Sequence, residues 1–307
     1  MSDLESSSTE KFKSGYVAIV GRPNVGKSTL LNNIIGQKLS ITADKPQTTR
    51  HQILGVKSTK TTQVVYVDTP GIHTGGKKAI NRYMNKAATS ITEDVDVIVF
   101  IVQALKWTDE DQSVLNKLKQ TKLPLILAVN KIDWVTDKAR LLPYLQQLQE
   151  KHNFTDIIPI SAQKGTHVQE LEELIEKYLP EGMPFFPDDQ LTDRSVRFLS
   201  AEIIREKLVR ELGEELPYQT TVEIESFKEE ENIVRIHATV LVETKGQKTI
   251  VIGKKGERLK SISTSARLDI EKLLDEKVFL RIWVKVRKGW SDDEQALLSL
   301  GYTDPDQ

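Results

Sequence analysis

The chain is 307 residues long, 38% hydrophobic and 28% charged, which suits two soluble globular domains with a core each. A net charge of −1 rules out a molecule coated with basic residues, so any surface for a polyanion has to be local. With no cysteine there are no disulfides and no thiolate metal sites, a composition that fits a reducing, cytoplasmic compartment. The histidines at 51, 73, 152, 167 and 237 have no i, i+3 or i, i+4 spacing for a metal and are expected to be solvated.

Residues 1–14, with Asp3, Glu5 and Glu10 among serines and no apolar core, read as a disordered leader rather than a secretory signal. The apolar run 16–20 is a candidate strand. Gly21-Arg22-Pro23-Asn24-Val25-Gly26-Lys27-Ser28 follows at once and fills every position of G-x-x-x-x-G-K-[ST], after which Thr29-Leu30-Leu31 opens a helix. A loop that leaves a buried strand and enters a helix aims backbone N–H groups and a helix N-terminus at one point, where a polyphosphate can sit. In that arrangement Gly21 and Gly26 let the main chain approach the phosphates, Lys27 reaches the β and γ oxygens, and the Ser28 hydroxyl ligates Mg²⁺. Residues 21–29 together are the predicted triphosphate cradle.

Further along, apolar runs at 64–67, 95–102, 124–129 and 157–160 alternate with amphipathic helical patterns. Such runs predict strands buried on both faces of an α/β, doubly wound, mostly parallel sheet. They are too short to span a bilayer. Ligands in such folds sit at the carboxyl ends of the strands. There, Asp68-Thr69-Pro70-Gly71 closes the strand 63–67; a carboxylate in that place holds Mg²⁺, usually through water, and a following glycine can give its N–H to a γ-phosphate. Asn130-Lys131-Ile132-Asp133 ends the run 124–129. An aspartate there can accept hydrogen bonds from guanine N1–H and the N2 amine, groups adenine lacks in that arrangement, which predicts GTP over ATP. Ser161-Ala162 would complete the base pocket with backbone N–H groups.

Between 179 and 197 the sequence turns to P-E-G-M-P-F-F-P-D-D-Q-L-T-D-R-S, without a period, which predicts a linker over 181–196. A first domain is therefore expected over 15–180, a second over 197–291 and a tail over 292–307. The second domain should hold a helix over 198–212, strands at 221–227 and 233–242, a Gly-Lys-Lys-Gly turn, a helix over 257–274 and a strand at 278–286, a small α+β unit. Val251-Ile252-Gly253-Lys254-Lys255-Gly256, continuing Glu257-Arg258-Leu259-Lys260-Ser261-Ile262, fits V-I-G-x-x-G-x-x-[IL]-x-x-I. The glycines let the turn press against a nucleic-acid backbone, Lys254, Lys255, Arg258 and Lys260 neutralise phosphates, and an apolar groove beside them takes about four unpaired nucleotides. The bland alternative is a solvated basic turn. Arg281, Lys285, Arg287 and Lys288 form a second basic cluster, and Trp283 and Trp290 are more often core than base-stacking at such positions. Basic clusters also suit anionic lipid, although the mixed charges of the 198–212 helix disfavour insertion.

In order, G-R-P-N-V-G-K-S, K-P-Q-T-T-R-H at 45–51, D-T-P-G-I-H at 68–73, N-K-I-D at 130–133, S-A-Q-K-G at 161–165 and W-S-D-D-E-Q-A-L-L-S-L-G-Y at 290–302 resemble the translation-factor-related GTPases. More narrowly, they resemble the Era family of bacterial ribosome-assembly GTPases, over nearly the whole chain. The resemblance implies a P-loop NTPase sheet followed by a type II KH domain, hydrolysis of GTP to GDP and phosphate, and a role in assembly of the small ribosomal subunit. It further implies binding of the single-stranded 3′ end of small-subunit ribosomal RNA; the residues alone imply only single-stranded RNA or DNA. It makes 45–51 switch I, with Thr48 or Thr49 reaching Mg²⁺ when GTP is bound, and starts switch II at Asp68, so that Thr69, Pro70, Gly71 and Ile72 meet the nucleotide. Lys27, Thr49, Gly71 and Asn24 are then the expected catalytic groups, with K⁺ a candidate cofactor at Asn24. Ile72 stands where Ras-like enzymes carry the water-orienting glutamine. Arg22 and Arg50 are local candidates for the charge of an arginine finger, worth roughly 10³ to 10⁵ in rate. A cytoplasmic monomer is expected; the alternatives are a regulatory GTPase in peripheral contact with the inner face of the membrane and an RNA-binding protein whose nucleotide is structural.

Overall fold

The computed structural model describes residues 11–43, 45, 48–68, 94–213, 216–293, 295 and 297. In β1 (Lys13–Val20) successive side chains enter different cores: Val17 and Ile19 join one buried cluster, Ala18 and Val20 another. The split recurs in β4 (Val97–Gln103), where Val99 and Ile101 lie on one side and Phe100 and Val102 on the other. Alternate strand residues point to opposite faces, so a strand apolar at every position has to be covered on both. With β2 (Ile53–Ser58), β3 (Thr62–Asp68), β5 (Leu125–Asn130) and β6 (Asp156–Pro159) these strands form a six-stranded sheet ordered β2-β3-β1-β4-β5-β6. All neighbours run parallel except β2 and β3.

Among the described residues four helices cover this sheet: α1 (Lys27–Ile35), α2 (Asp109–Leu118), α3 (Leu141–Gln149) and α4 (Val168–Tyr178). Leu30, Leu31, Leu171 and Ile175 bring α1 and α4 onto one face, while Leu115, Leu118 and Leu148 bring α2 and α3 onto the other. The antiparallel edge strand β2 is absent from the sequence expectation. Gly55 admits α1 closely there, since a Cβ would stand 2.6 Å from Leu31 Cδ1. Parallel pairing carries the ends of β1, β3, β5 and β6 to the same edge of the sheet, which is where the motif residues fall.

A second sheet, ordered β7-β8-β9, comprises β7 (Thr220–Glu230), β8 (Ile233–Val242) and β9 (Val278–Val286), with β7 antiparallel and β9 parallel to β8. Helices α5 (Val196–Glu211), α6 (Lys245–Ile252) and α7 (Glu257–Leu274) join its core through Ile204, Leu208, Val251, Ile262 and Ala266. The Ser195 hydroxyl caps α5 by accepting from Phe198 N–H at 3.2 Å. Helix α6 departs from the expectation of a bare turn after β8. Gly246 and the β-branched residues 249–252 blur its helical pattern, but a reciprocal Thr244–Gln247 capping box starts it and burial of Val251 anchors it.

Segment 181–196 lies along the first sheet. Gln63 holds it, accepting from Phe185 N–H (2.6 Å) and Phe186 N–H (3.0 Å) and donating to the Phe186 carbonyl (2.8 Å). Trp290 is core, whereas Trp283 is 45% exposed with the Arg281 guanidinium 4.4 Å from its ring centre. His51 corrects the expectation of solvated histidine: it is 3% exposed, edge-on to Phe198 of α5 at 5.1 Å. Among the described residues no helix is long and apolar enough to cross a membrane.

Candidate nucleotide site

Residues 21–26 turn sharply between β1 and α1. Gly26 has φ 107°, and a Cβ on it would lie 2.3 Å from Asn130 Nδ2, so the loop closes only around glycine. A Cβ on Gly21 would meet the Ile101 carbonyl at 2.5 Å. Pro23, Asn24 and Thr29 line the cleft in front of the loop, and Val25 packs in the core behind it. Lys27 is buried and folds back, donating from Nζ to the carbonyls of Gly21 (3.0 Å) and Arg22 (3.1 Å). Desolvation lowers its pKa to about 8 against the opposing pull of Asp68, with Arg22 adding to the depression.

Oxygen donors converge beside Lys27. Ser28 Oγ donates to Asp68 Oδ2 at 2.7 Å and lies 2.9 Å from Thr49 Oγ1, while Ser40 Oγ also donates to Asp68 Oδ2 at 2.7 Å. Hydroxyl and carboxylate oxygens at one point are the donor set that suits Mg²⁺. Thr48 points elsewhere, its hydroxyl donating to the Lys45 carbonyl at 2.6 Å. Thr69, Pro70, Gly71 and Ile72 lie outside the described residues.

At the other end of the cleft, buried Asn130 ties two loops together: Nδ2 donates to Val25 O (2.7 Å) and Oδ1 accepts from Ala162 N–H (2.9 Å). Lys131 Nζ donates to Asn24 O at 2.8 Å and sits 4.4 Å from the Trp134 ring centre. Ile132 is buried beneath, and the exposed Asp133 accepts from Ser161 Oγ at 2.6 Å. This differs from the expectation for Ser161 and Ala162, whose N–H groups are engaged by Thr166 O and Asn130 while the Ser161 hydroxyl orients Asp133. The cleft encloses about 560 Å³, room for a nucleotide.

Two arginines considered from sequence lie away from the cleft lining. Arg22 Nε pairs with the buried Asp111 at 3.1 Å, and Arg50 Nη1 donates to Thr220 O at 2.9 Å. The cation that sequence reasoning missed is Arg210 of α5, which lines the cleft with Lys45. No signal local to the phosphate loop marks a residue so distant in the chain.

In the second unit the Gly-Lys-Lys-Gly segment joins α6 to α7. Gly253 has φ 75° and ψ 179°, and Gly256 has φ 81°. Lys254, Lys255 and Lys260 are exposed, while Arg258 is half-buried and donates to Ile250 O at 2.6 Å. Beside this turn runs a groove lined by Ile252 and Val286 and edged by Lys245, Lys248 and Lys285.

A family model described as a 50S ribosome-binding GTPase matches residues 16–131, and a KH-domain model matches residues 215–291. GTPase Era of Pseudomonas aeruginosa strain PAO1 is 57% identical over 304 residues, covering 99% of this chain and 100% of its own. The chain belongs to the Era family of GTPases. GTPase Era of Pseudomonas fluorescens Pf0-1 is 59% identical over 96% of this chain and 99% of its own. Among solved structures, an alanine variant of Aquifex aeolicus Era bound to GDP·AlF4⁻ is 41% identical with a TM-score of 0.90, covering 95% of this chain and 100% of that one. Era in complex with MgGDPNP and nucleotides 1506–1542 of 16S ribosomal RNA shows the same identity and TM-score over 95% of this chain and 99% of that one. As an Era-family member the protein is an enzyme that hydrolyses GTP, built as a P-loop sheet followed by a KH domain.

Proposed function

We propose that the nucleotide held in the cleft controls how the KH unit grips the single-stranded 3′ end of small-subunit ribosomal RNA, and that the protein serves small-subunit assembly in the cytoplasm. The observation that carries this reading is the relative that holds MgGDPNP and 16S nucleotides together, alike to this chain over 95% of its length at a TM-score of 0.90. In this chain both requirements recur, a cleft at the strand ends and a glycine-bounded basic turn beside an apolar groove.

The geometry supports the following residue roles. Lys27 leaves its two carbonyl partners for the β and γ oxygens of the triphosphate. Ser28, Thr49 and Asp68 hold Mg²⁺, and the engagement of the Thr48 hydroxyl with Lys45 O favours Thr49 as the switch I ligand. When bound, the ion neutralises charge that develops on the transferred phosphoryl group. Asp133, held by Ser161, reads guanine, and Asn24 at the cleft mouth accommodates K⁺. Lys254, Lys255, Arg258 and Lys260 neutralise RNA phosphates while the groove takes the bases.

The test is filter binding of a 16S 3′-end oligonucleotide to the full chain in its GDP and GTP-analogue forms. Different affinities in the two forms, and loss of binding in Gly253→Asp, are expected. Equal affinities would remove nucleotide control, and unchanged binding by Gly253→Asp would remove the turn from the RNA site. For the ion at Asn24, faster hydrolysis in KCl than in NaCl at matched ionic strength is expected, and equal rates would exclude it.

A further inference from the structure

The segment that contains Thr49 is held from across the domain boundary by α5. Lys45 Nζ donates to the carbonyl of Val209 (2.7 Å) and to that of Leu212, where the last carbonyls of a helix lack intrahelical partners and favour a cation. Arg210 donates to Thr42 O at 2.9 Å. Arg205, 1% exposed, donates from Nη2 to Thr48 O at 2.5 Å, and from Nε and Nη2 to the two oxygens of Glu202 at 2.7 and 2.6 Å. A guanidinium locked by a bidentate carboxylate has one orientation to offer. The carbonyl it holds belongs to the planar peptide that joins Thr48 to Thr49, so fixing that carbonyl limits where the Thr49 hydroxyl can go. That hydroxyl lies 2.9 Å from Ser28 Oγ.

We propose that Arg205 of the second unit is a positioning residue for the Thr49 hydroxyl in the first, acting through the Thr48 carbonyl with Lys45 as the companion anchor. The inference rests on the reading of Ser28, Thr49 and Asp68 as the Mg²⁺ site. Switch I engages the metal in the triphosphate state, so the clamp tightens Mg²⁺–GTP and leaves Mg²⁺–GDP alone.

The experiment is equilibrium binding of fluorescent GDP and of a fluorescent non-hydrolysable GTP analogue, each with Mg²⁺ and with EDTA. The full-length wild type is compared with Arg205→Met and Lys45→Met. In the wild type Mg²⁺ tightens the triphosphate analogue; both variants should lose at least about fivefold of that tightening, the scale of one charge-assisted hydrogen bond. Their Mg²⁺ ratio for GDP should stay within about twofold of wild type, well inside that difference. Lys45→Met leaves Arg205 and Glu202 paired, so it carries the test if Arg205→Met fails to fold. A wild-type triphosphate ratio in Lys45→Met and in folded Arg205→Met overturns the inference and leaves the metal site standing. Equal losses for GDP and the analogue overturn it as well, because they report general damage. A wild type on which Mg²⁺ has no effect overturns the metal site and the inference together.

Discussion

Burial of Lys27 in a desolvated place lowers its pKa to about 8. Phosphate oxygens favour its charged form and raise that pKa, so binding takes up protons where the free group is partly neutral. At pH 8 calorimetry in buffers of different ionisation enthalpy should show uptake of about half a proton per nucleotide, and affinity should weaken as pH rises further. Uptake of zero at pH 8 would contradict this account of Lys27. Asp133→Asn should weaken GTP binding by about 10- to 100-fold, the cost of unpaired base donors, and leave phosphate-loop contacts intact; displacement of a fluorescent nucleotide measures it. The motif strings pointed to Lys27, Ser28 and Asp133, which the fold brings to one cleft. The hydroxyl of Ser161, which holds Asp133 while its backbone N–H is engaged by Thr166 O, had no signal in the motif string.

Helices α5 and α6 show how element boundaries depend on more than pattern. Phe198 and its neighbours announced α5 from sequence, while α6 was hidden by Gly246 and β-branched residues whose helical state needs the capping box and the core contact of Val251. The turn after α6 holds Gly253 at φ 75° and ψ 179°, a region nearly closed to other residues, and a Cβ there would stand 2.7 Å from Arg258 Cβ. Gly253→Ala should therefore cost about 1–3 kcal/mol, read as a lower melting temperature of the second unit. On the face of α5 toward the first domain, burial draws Glu202 up, but the charge and hydrogen bond of Arg205 together with the charge of Arg50 bring it below the usual carboxylate range. Arg205→Met alone should destabilise the protein by about 3–5 kcal/mol by stranding that carboxylate, and adding Glu202→Gln should restore part of the loss in the same denaturant titration.

Across the whole molecule the two units meet through polar contacts and through apolar ones, Leu199, Phe198 and Leu273 packing against the first core, and His51 makes that seam sensitive to acid. Burial lowers its pKa from 6.5 to about 3, so below pH 6.5 the unfolded chain binds a proton that the folded chain refuses. Stability should fall as pH drops from about 6.5 towards 3, with a limiting slope near 1.4 kcal/mol per pH unit; His51→Gln should flatten that slope in melting curves between pH 7 and 5. Helix α5 belongs to the RNA-binding unit yet grips Thr42, Lys45 and Thr48, and any factor by which GTP alters RNA affinity must return as the same factor by which RNA alters GTP affinity. Continuous apolar runs, the phosphate-loop string and the glycine-bounded basic turn were enough to read the doubly wound sheet, the guanine nucleotide and the polyanion-binding unit, because each depends on contacts short in sequence or on strict periodicity. The burial of His51, the arginines diverted to Asp111 and Thr220, and the hold of α5 on Thr42, Lys45 and Thr48 arise from groups up to 170 residues apart. Such pairings leave no periodic trace, since they depend on which surfaces meet once the chain has packed and not on the spacing of residues along one element.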